Sequence, residues 1–247
     1  MIVWAAVKIR NQANKVIGYS LASTHISNEN GEEYLIKNIA SDLNVVMDVG
    51  ANKGEWTIMV KKYTLPGTQF HLVEPGIEAY KILQHISGNV NIYQLGLSDT
   101  NEELNFYEET NAGEQSSFII SSYHQNYKTT KVHVQRLDNF CNDKGIEFID
   151  LLKIDCEGFD YKVLIGAINM LKQDRIKYIQ FEYGGGWKIA GSTLKAAIIF
   201  LNNLGYQVWF VSPKGLRAFD VNFIGEYFEY SNFFASKTLP EGLEIQL

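Results

Sequence analysis

From Asn44 onward the sequence alternates between short apolar runs and amphipathic stretches, and few folds accept that rhythm. "VVMDVG", "TQFHLVE" and "VNIYQLGLS" read as strands, with "EWTIMVKKY" and "GIEAYKILQHI" as helices between them. Pro66-Gly67 closes the first unit. The rhythm resumes with "LDNFCNDKG" (helix), "FIDLLKID" (strand), "FDYKVLIGAINMLKQ" (helix) and "IKYIQFEY" (strand). In "FDYKVLIGAINMLKQ" Leu164, Ala167, Ile168 and Leu171 share one face. "STLKAAIIFLNNLG" is a further helix, with Ser192 as its N-cap and Gly205 as its stop. Repeated βα units join parallel strands through crossover helices, so the expectation is an open sheet with helices on both faces.

The chain ends differently. "YQVWFVS" and "EYFEYSNFFAS" read as strands, and the "PKGLRAFDVNFIG" between them is too short for a crossover helix, so they should pair antiparallel. That makes seven strands, five parallel and a terminal hairpin. Between the third and fourth strands, "EELNFYEE", "SSFII" and "KVHVQRL" form a hairpin-like insertion whose loop-rich part, 109–131, suits an acceptor pocket. It carries Ser116, Ser117, Tyr123 and His124. Residues 1–40 read as a helical extension, in which Tyr34, Leu35, Ile39 and Leu43 lie on one side of "GEEYLIKNIASDL" and Trp4, Val7 and Ile17 suit an amphipathic helix. Residues 41–247 are then one α/β domain, and a chain that is 46% hydrophobic can bury its core.

Charge and cysteines narrow the class. The net charge is −6 and no basic stripe is present, so nucleic acid is not an expected partner. Cys141 and Cys156 have neither CxxC nor zinc spacing and read as reduced thiols. No stretch approaches the apolar length of a membrane span, and "MIVWAAVKIR" is too short for a secretory segment, so the expected location is the cytoplasm.

The first strand ends in the loop "DVGANKG". Gly50 permits a tight turn and Gly54 lets the next helix pack against the strand, which is the geometry of a nucleotide-binding loop and equally of a plain strand-to-helix turn. It is not G-x-G-x-x-G: Asn52 occupies the middle position, and Asp48 favours an amino-bearing ligand over a pyrophosphate. Glu74 ends the second strand, where a carboxylate can accept the ribose hydroxyls of an adenosine. Ser98 and Asp99 end the third, within reach of an adenine.

The fourth strand, "LLKIDCEG", ends with Lys153, Asp155 and Glu157. Lys153 and Asp155 share a face and look into the crevice where the strand order reverses. Glu182 and Tyr183 end the fifth strand beside them, and Gly184-Gly185-Gly186 follows, read as a mobile loop over the site or as a plain flexible connection. A Lys–Asp core pair and a helix-capping Glu157 are the structural alternatives.

In order, "VVMDVGANKGEWT", "HLVEPG", "NIYQLGLSD", "SSF", "VQRLDNF", "IDLLKIDCEGFDYKVLIGA" and "IQFEY" resemble the FkbM family of S-adenosylmethionine-dependent methyltransferases over about 44–235. The resemblance implies the class I methyltransferase fold, a Rossmann-like α/β/α sandwich with strand order 3-2-1-4-5-7-6. It implies that Asp48, Gly50, Asn52 and Gly54 hold the methionine end of the cofactor, Glu74 the ribose, and Ser98 or Asp99 the adenine edge; Ala51, Thr57, Pro75, Leu97 and Asp155 complete the expected cofactor set. It also implies O-methylation of a hydroxyl on a sugar, glycan or other natural product. For this chemistry Asp155 is the expected base, with Glu182 and Lys153 beside it, and Asp155, Glu157 and Glu182 are the candidate ligands for Mg²⁺ or Mn²⁺. A nitrogen or non-sugar acceptor, a nicotinamide oxidoreductase and a non-catalytic adenosine binder are the alternatives. Oligomeric state is not legible.

Overall fold

The computed structural model describes residues 2–21, 24, 26–109, 116–120 and 127–246. Three helices, α1 (Ile2–Leu21), α2 (Ser27–Asn30) and α3 (Glu32–Ile39), precede β1 (Val45–Val49), α4 (Glu55–Lys61), β2 (Gln69–Val73), α5 (Ile77–Leu83) and β3 (Val90–Tyr93). Next come β4 (Gly96–Ser98), β5 (Glu102–Glu109), β6 (Tyr127–Arg136), α6 (Leu137–Lys144), β7 (Ile149–Ile154), α7 (Asp160–Gly166), α8 (Ile168–Lys172) and β8 (Ile176–Tyr183). The chain closes with α9 (Gly185–Ile189), α10 (Leu194–Asn203), β9 (Gln207–Ser212), β10 (Gly215–Ala218), α11 (Val221–Ile224), β11 (Ser231–Ser236) and β12 (Ile245–Gln246).

The main sheet runs β12-β10-β9-β11-β8-β7-β1-β2-β3. Its five central and edge strands from β8 to β3 are parallel, and β11 is antiparallel to both β8 and β9. The expected order is therefore present, but within nine strands rather than seven. The extra two come from the stretch after Ser212: β10 turns straight back on β9, pairing Gly215 with Ser212, and β12 adds to β10.

The third strand also differs. It stops at Tyr93, and β4 leaves to build a separate sheet, β4-β6-β5. At Gly96 a Cβ would lie 2.5 Å from Phe118 and 2.9 Å from Val134, so the chain passes closer to the insertion than any side chain allows. "SSFII" is not a strand; among its described residues only Ser117 pairs, with Tyr107. Tyr123 and His124 lie outside the described residues. The helix expected over 159–173 breaks at Ala167, because Gly166 packs against Ser98 so tightly that a Cβ would sit 2.0 Å from its carbonyl oxygen. The N-cap of α10 is Thr193, not Ser192: its hydroxyl accepts from the Ala196 amide at 3.2 Å.

Strand alternation divides the core. Met47, Val49, Leu152, Ile154, Ile179 and Phe181 pack under α6, α7, α8 and α10. Val46, Leu72, Leu151, Tyr178 and Phe234 face the other way, toward α3 and α4. Leu35, Ile36 and Ile39 of α3 are fully buried in that second layer, so residues 27–40, grouped above with the leading segment, belong to its packing. In contrast α1 leaves Ile2, Trp4, Ile9 and Val16 exposed. No helix among the described residues is long and apolar enough to cross a membrane.

Candidate active site

A cavity of about 540 Å³ opens at the carboxyl ends of β1, β2, β7 and β8, where the strand order reverses. On the second-layer face every one of these strands ends in a polar residue: Asp48 follows Val46, Glu74 follows Leu72, Lys153 and Asp155 follow Leu151, and Glu182 follows Tyr178 and Gln180. The hydrophobic layer beneath turns into a charged floor at one end.

The β1 loop is built by backbone constraint. Gly50 has φ +82°, and a Cβ there would lie 1.8 Å from the Asp155 carbonyl oxygen. The Gly50 and Ala51 amides donate to the Val73 carbonyl at 2.9 and 3.2 Å, and Asp155 N–H donates to the Val49 carbonyl at 2.9 Å. These bonds tie three strand ends together. Asn52 also adopts a left-handed φ, +44°, which aims its amide at Glu74 Oε2, 2.8 Å away; the Gly76 amide donates to Oε1 at 2.7 Å. Burial pushes the Glu74 carboxyl up to about 7 against the pull of these two amides. Asp48 accepts from the Thr57 hydroxyl at 2.6 Å, and burial pushes it up to about 6.

Gly50, Ala51, Asn52, Asp48, Glu74, Pro75 and Leu97 all line the cavity. Thr57 and Gly54 do not. Thr57 lies fully buried behind Asp48, and Gly54 lets α4 close against Leu83 and Ile86. Ser98 and Asp99 also stand off the wall: Ser98 is fully buried and donates to Asp99, whose carbonyl takes Arg136. The wall at that point is Leu95, Gly96 and Leu97, with Phe106 and Phe118 opposite.

At the other end Lys153 Nζ donates to Asp155 Oδ2 at 2.9 Å. The Lys153 side chain is only 3% exposed and that of Asp155 is 34% exposed, so the lysine is the floor and the aspartate reaches the cavity. Burial pulls the Lys153 ammonium down, but Asp155, Glu32 and Glu182 outweigh it and hold it above the ordinary lysine range. Burial, with Asp155 and Glu157 close by, pushes Glu182 well above the usual carboxylate range. Asp155, Glu157 and Glu182 each bring a carboxylate oxygen within 4.8 Å of the others.

The glycine triplet is not an open loop. Gly185 and Gly186 begin α9, and Gly186 packs so closely on Glu157 that a Cβ would sit 2.5 Å from its carbonyl oxygen. Asp160, rather than Glu157, serves the start of α7 by accepting from the Cys156 and Gly158 amides. Tyr183 is buried and donates to Glu226 instead of facing the site. Both cysteines are free thiols, and burial raises both.

Ser27, Glu32 and Tyr230 are on the wall too, although nothing in the strand-end pattern points to them. Glu32 had a readable signal. It precedes Leu35, Ile36 and Ile39 at the three-, four- and seven-residue spacing that puts a carboxylate on the apolar face of its helix. From the insertion, Ser116, Ser117, Phe118 and Ile119 reach the cavity, and the Ser117 hydroxyl donates to the Glu157 carbonyl at 3.1 Å.

Comparison with known proteins agrees with this geometry. The methyltransferase FkbM domain model matches residues 48–208. A 2-O-methyltransferase, NoeI, from Sinorhizobium fredii is 23% identical over 154 residues, which is 56% of this chain and 63% of that protein. The crystal structure of methyltransferase FkbM from Methylobacillus flagellatus superposes with a TM-score of 0.50 at 14% identity, covering 94% of this chain and 60% of that one. The chain thus spans somewhat under two thirds of the length of these two relatives, and its fold is that of the class I methyltransferases. The chain belongs to the FkbM methyltransferase family.

Proposed function

We propose that the protein transfers a methyl group from S-adenosylmethionine to a hydroxyl of a sugar, glycan or similar polyol. The carrying observation is that one cavity joins the β1 loop, with Asp48 and Glu74, to the buried Lys153–Asp155 pair. The residues at the first end fit the cofactor. Each Glu74 oxygen takes one backbone amide and keeps a lone pair, so the carboxylate can accept two ribose hydroxyls in addition. Asp48 offers a carboxylate to an ammonium, and Leu95, Leu97 and Phe106 offer an apolar slot to a flat ring. When bound, the cofactor supplies an electrophilic methyl group on a sulfonium.

The chain's own task is to place an acceptor oxygen and remove its proton. Asp155 is the base in this reading. The Lys153 ammonium holds one of its oxygens at 2.9 Å, which fixes the carboxylate and leaves the other oxygen toward the cavity. Glu182, raised by burial, can hold a proton at that end. The loop after β1 and the insertion residues Phe106 and Phe118 wall the cavity on the cofactor side.

Asp155, Glu157 and Glu182 also make a ligand set for Mg²⁺ or Mn²⁺. The ammonium against Asp155 weighs against the metal, because it already neutralises a carboxylate a dication would need. The test is methyl transfer from labelled S-adenosylmethionine to a panel of polyols, with the product mapped by NMR and EDTA added in one arm. An O-methyl product formed at an unchanged rate in EDTA is expected; an N-methyl product, or no product, would overturn the assignment, and loss of turnover in EDTA would restore the metal.

A further inference from the structure

Helix α1 stands apart from both core layers. Leu21, at its end, packs against the first of them, but Ile2, Val3, Trp4, Ile9 and Val16 are between 65% and 87% exposed. Ile2, Ala5, Ile9, Ala13 and Val16 recur at steps of three and four, so one apolar stripe runs along the helix. Its opening turns, "IVWAAV", are apolar on every side. Large apolar side chains grouped in this way mark a surface made to meet something apolar.

The charge on this helix is also unlike that of the rest of the chain. It carries Lys8, Arg10 and Lys15, and the first Asp or Glu of the sequence is Glu29, so all 28 acidic residues lie beyond it in a chain of net charge −6. Among the described residues no carboxylate pairs with these three cations. Lys8 Nζ lies 4.0 Å from the centre of the Trp4 ring, and Arg10 donates to Asn11 Oδ1 at 3.3 Å. At 100° per residue Lys8 and Lys15 flank the stripe on one side and Arg10 on the other, while Asn11 and Asn14 stand opposite it.

That layout selects the occupant. A stripe with cations on both flanks and a Trp at its apolar end suits the plane of an anionic lipid surface: the stripe enters the acyl boundary, and the long cationic side chains reach the phosphates. A second copy of the helix fits less well. It would set cation against cation with no carboxylate on the helix to answer them, and two of the five stripe positions are Ala. The helix is not long and apolar enough to cross a membrane.

We propose that α1 docks the protein on an anionic lipid surface, lying in the headgroup plane. The inference stands independently of the methyl-transfer reading. It bears on the site as well, because Leu21 ties the helix to the core and Ser27, which lines the cavity, follows within at most about 20 Å of chain.

The experiment is co-sedimentation of the full chain with vesicles of phosphatidylcholine alone, or with about 30% phosphatidylglycerol. Each cation at the surface is worth about fivefold, so partition onto the anionic vesicles should be about a hundredfold stronger and should weaken as salt is raised. Replacing all three cations, Lys8→Gln, Arg10→Gln and Lys15→Gln, should abolish the preference. Ile9→Ser and Val16→Ser should each weaken binding about tenfold. These positions are exposed, so Tm should hold; if a variant does lower Tm, the wild-type order and its salt dependence carry the test. Equal binding to both vesicles, binding to neither, or binding that Ile9→Ser and Val16→Ser leave unchanged would overturn the inference. A dimer in lipid-free buffer that these two variants dissociate would assign the face to a second copy, and would overturn it too.

Discussion

The two ends of the cavity hold their carboxylates by different means. At the β1–β2 end, Asp48 and Glu74 are tied to the Thr57 hydroxyl and the amides of Asn52 and Gly76, all within 22 residues along the chain. At the β7–β8 end, Glu32 is tied to Gln180, 148 residues away, and the β8 carboxylate Glu182 lies in register with Asn232 of β11. The first end is local loop geometry and neutral donors. The second is assembled by the fold from charged and amide side chains. A conserved cofactor suits the first construction, because a short loop reproduces it wherever the fold recurs. A variable acceptor suits the second, where each partner can change without disturbing the loop.

The comparison can be broken first at Gly50. Gly50→Val adds a Cβ at a left-handed φ, where the Asp155 carbonyl leaves no room. The expected cost is roughly 3 kcal/mol or more, from strain plus overpacking, read as a lower Tm and the loss of S-adenosylhomocysteine binding. Wild-type stability and affinity in that variant would mean the loop is not clamped between the strands.

A smaller effect is expected at Glu74. Glu74→Gln keeps the shape and removes the charge, so affinity for S-adenosylhomocysteine should fall about ten- to a hundredfold. The pH dependence should go with it. In the wild-type protein Glu74 titrates at about 7, and its ionised form is the better acceptor for ribose hydroxyls. Affinity should therefore tighten as pH rises from below to above that value, and calorimetry on Glu74→Gln should show a flatter profile. A wild-type profile that weakens with rising pH would contradict the sign.

The smallest change is expected at Thr57. Thr57→Val is near-isosteric in a fully buried position and takes from Asp48 its 2.6 Å hydroxyl donor. A loss of about 1–2 kcal/mol in stability, with a several-fold weaker S-adenosylhomocysteine complex, is the expected result of chemical denaturation and calorimetry. No change in either would show that Asp48 does not depend on this bond.

Sequence reading reached the first end more fully than the second, for the reason the bonds suggest. Asp48, Gly50, Asn52 and Glu74 could be placed because strand period and glycine position act over a few residues. Asp155 and Glu182 could be placed as strand ends on one face, since β7 and β8 read as strands. One continuous third strand would bring Ser98 and Asp99 to the cavity; the close packing at Gly96 bends the chain away instead, and Leu95–Leu97 take the wall. Glu32 and Tyr230 could not be reached by spacing along the sheet. One comes from a helix before it and the other from the turn into β11, and only the closed second layer brings them together. The extra strands β10 and β12 escaped because a four-residue hairpin arm and a two-residue strand leave too short a pattern to read.

The central claim is that Asp155 stands at the junction of the two ends and acts on the acceptor rather than on the cofactor. Asp155→Asn keeps the shape and tests it in one variant, by single-turnover methyl transfer from labelled S-adenosylmethionine alongside S-adenosylhomocysteine calorimetry. The account predicts transfer slowed by about 10²–10⁴-fold with cofactor affinity within about threefold of wild type. Transfer at the wild-type rate, or a loss of binding equal to the loss of rate, would contradict it.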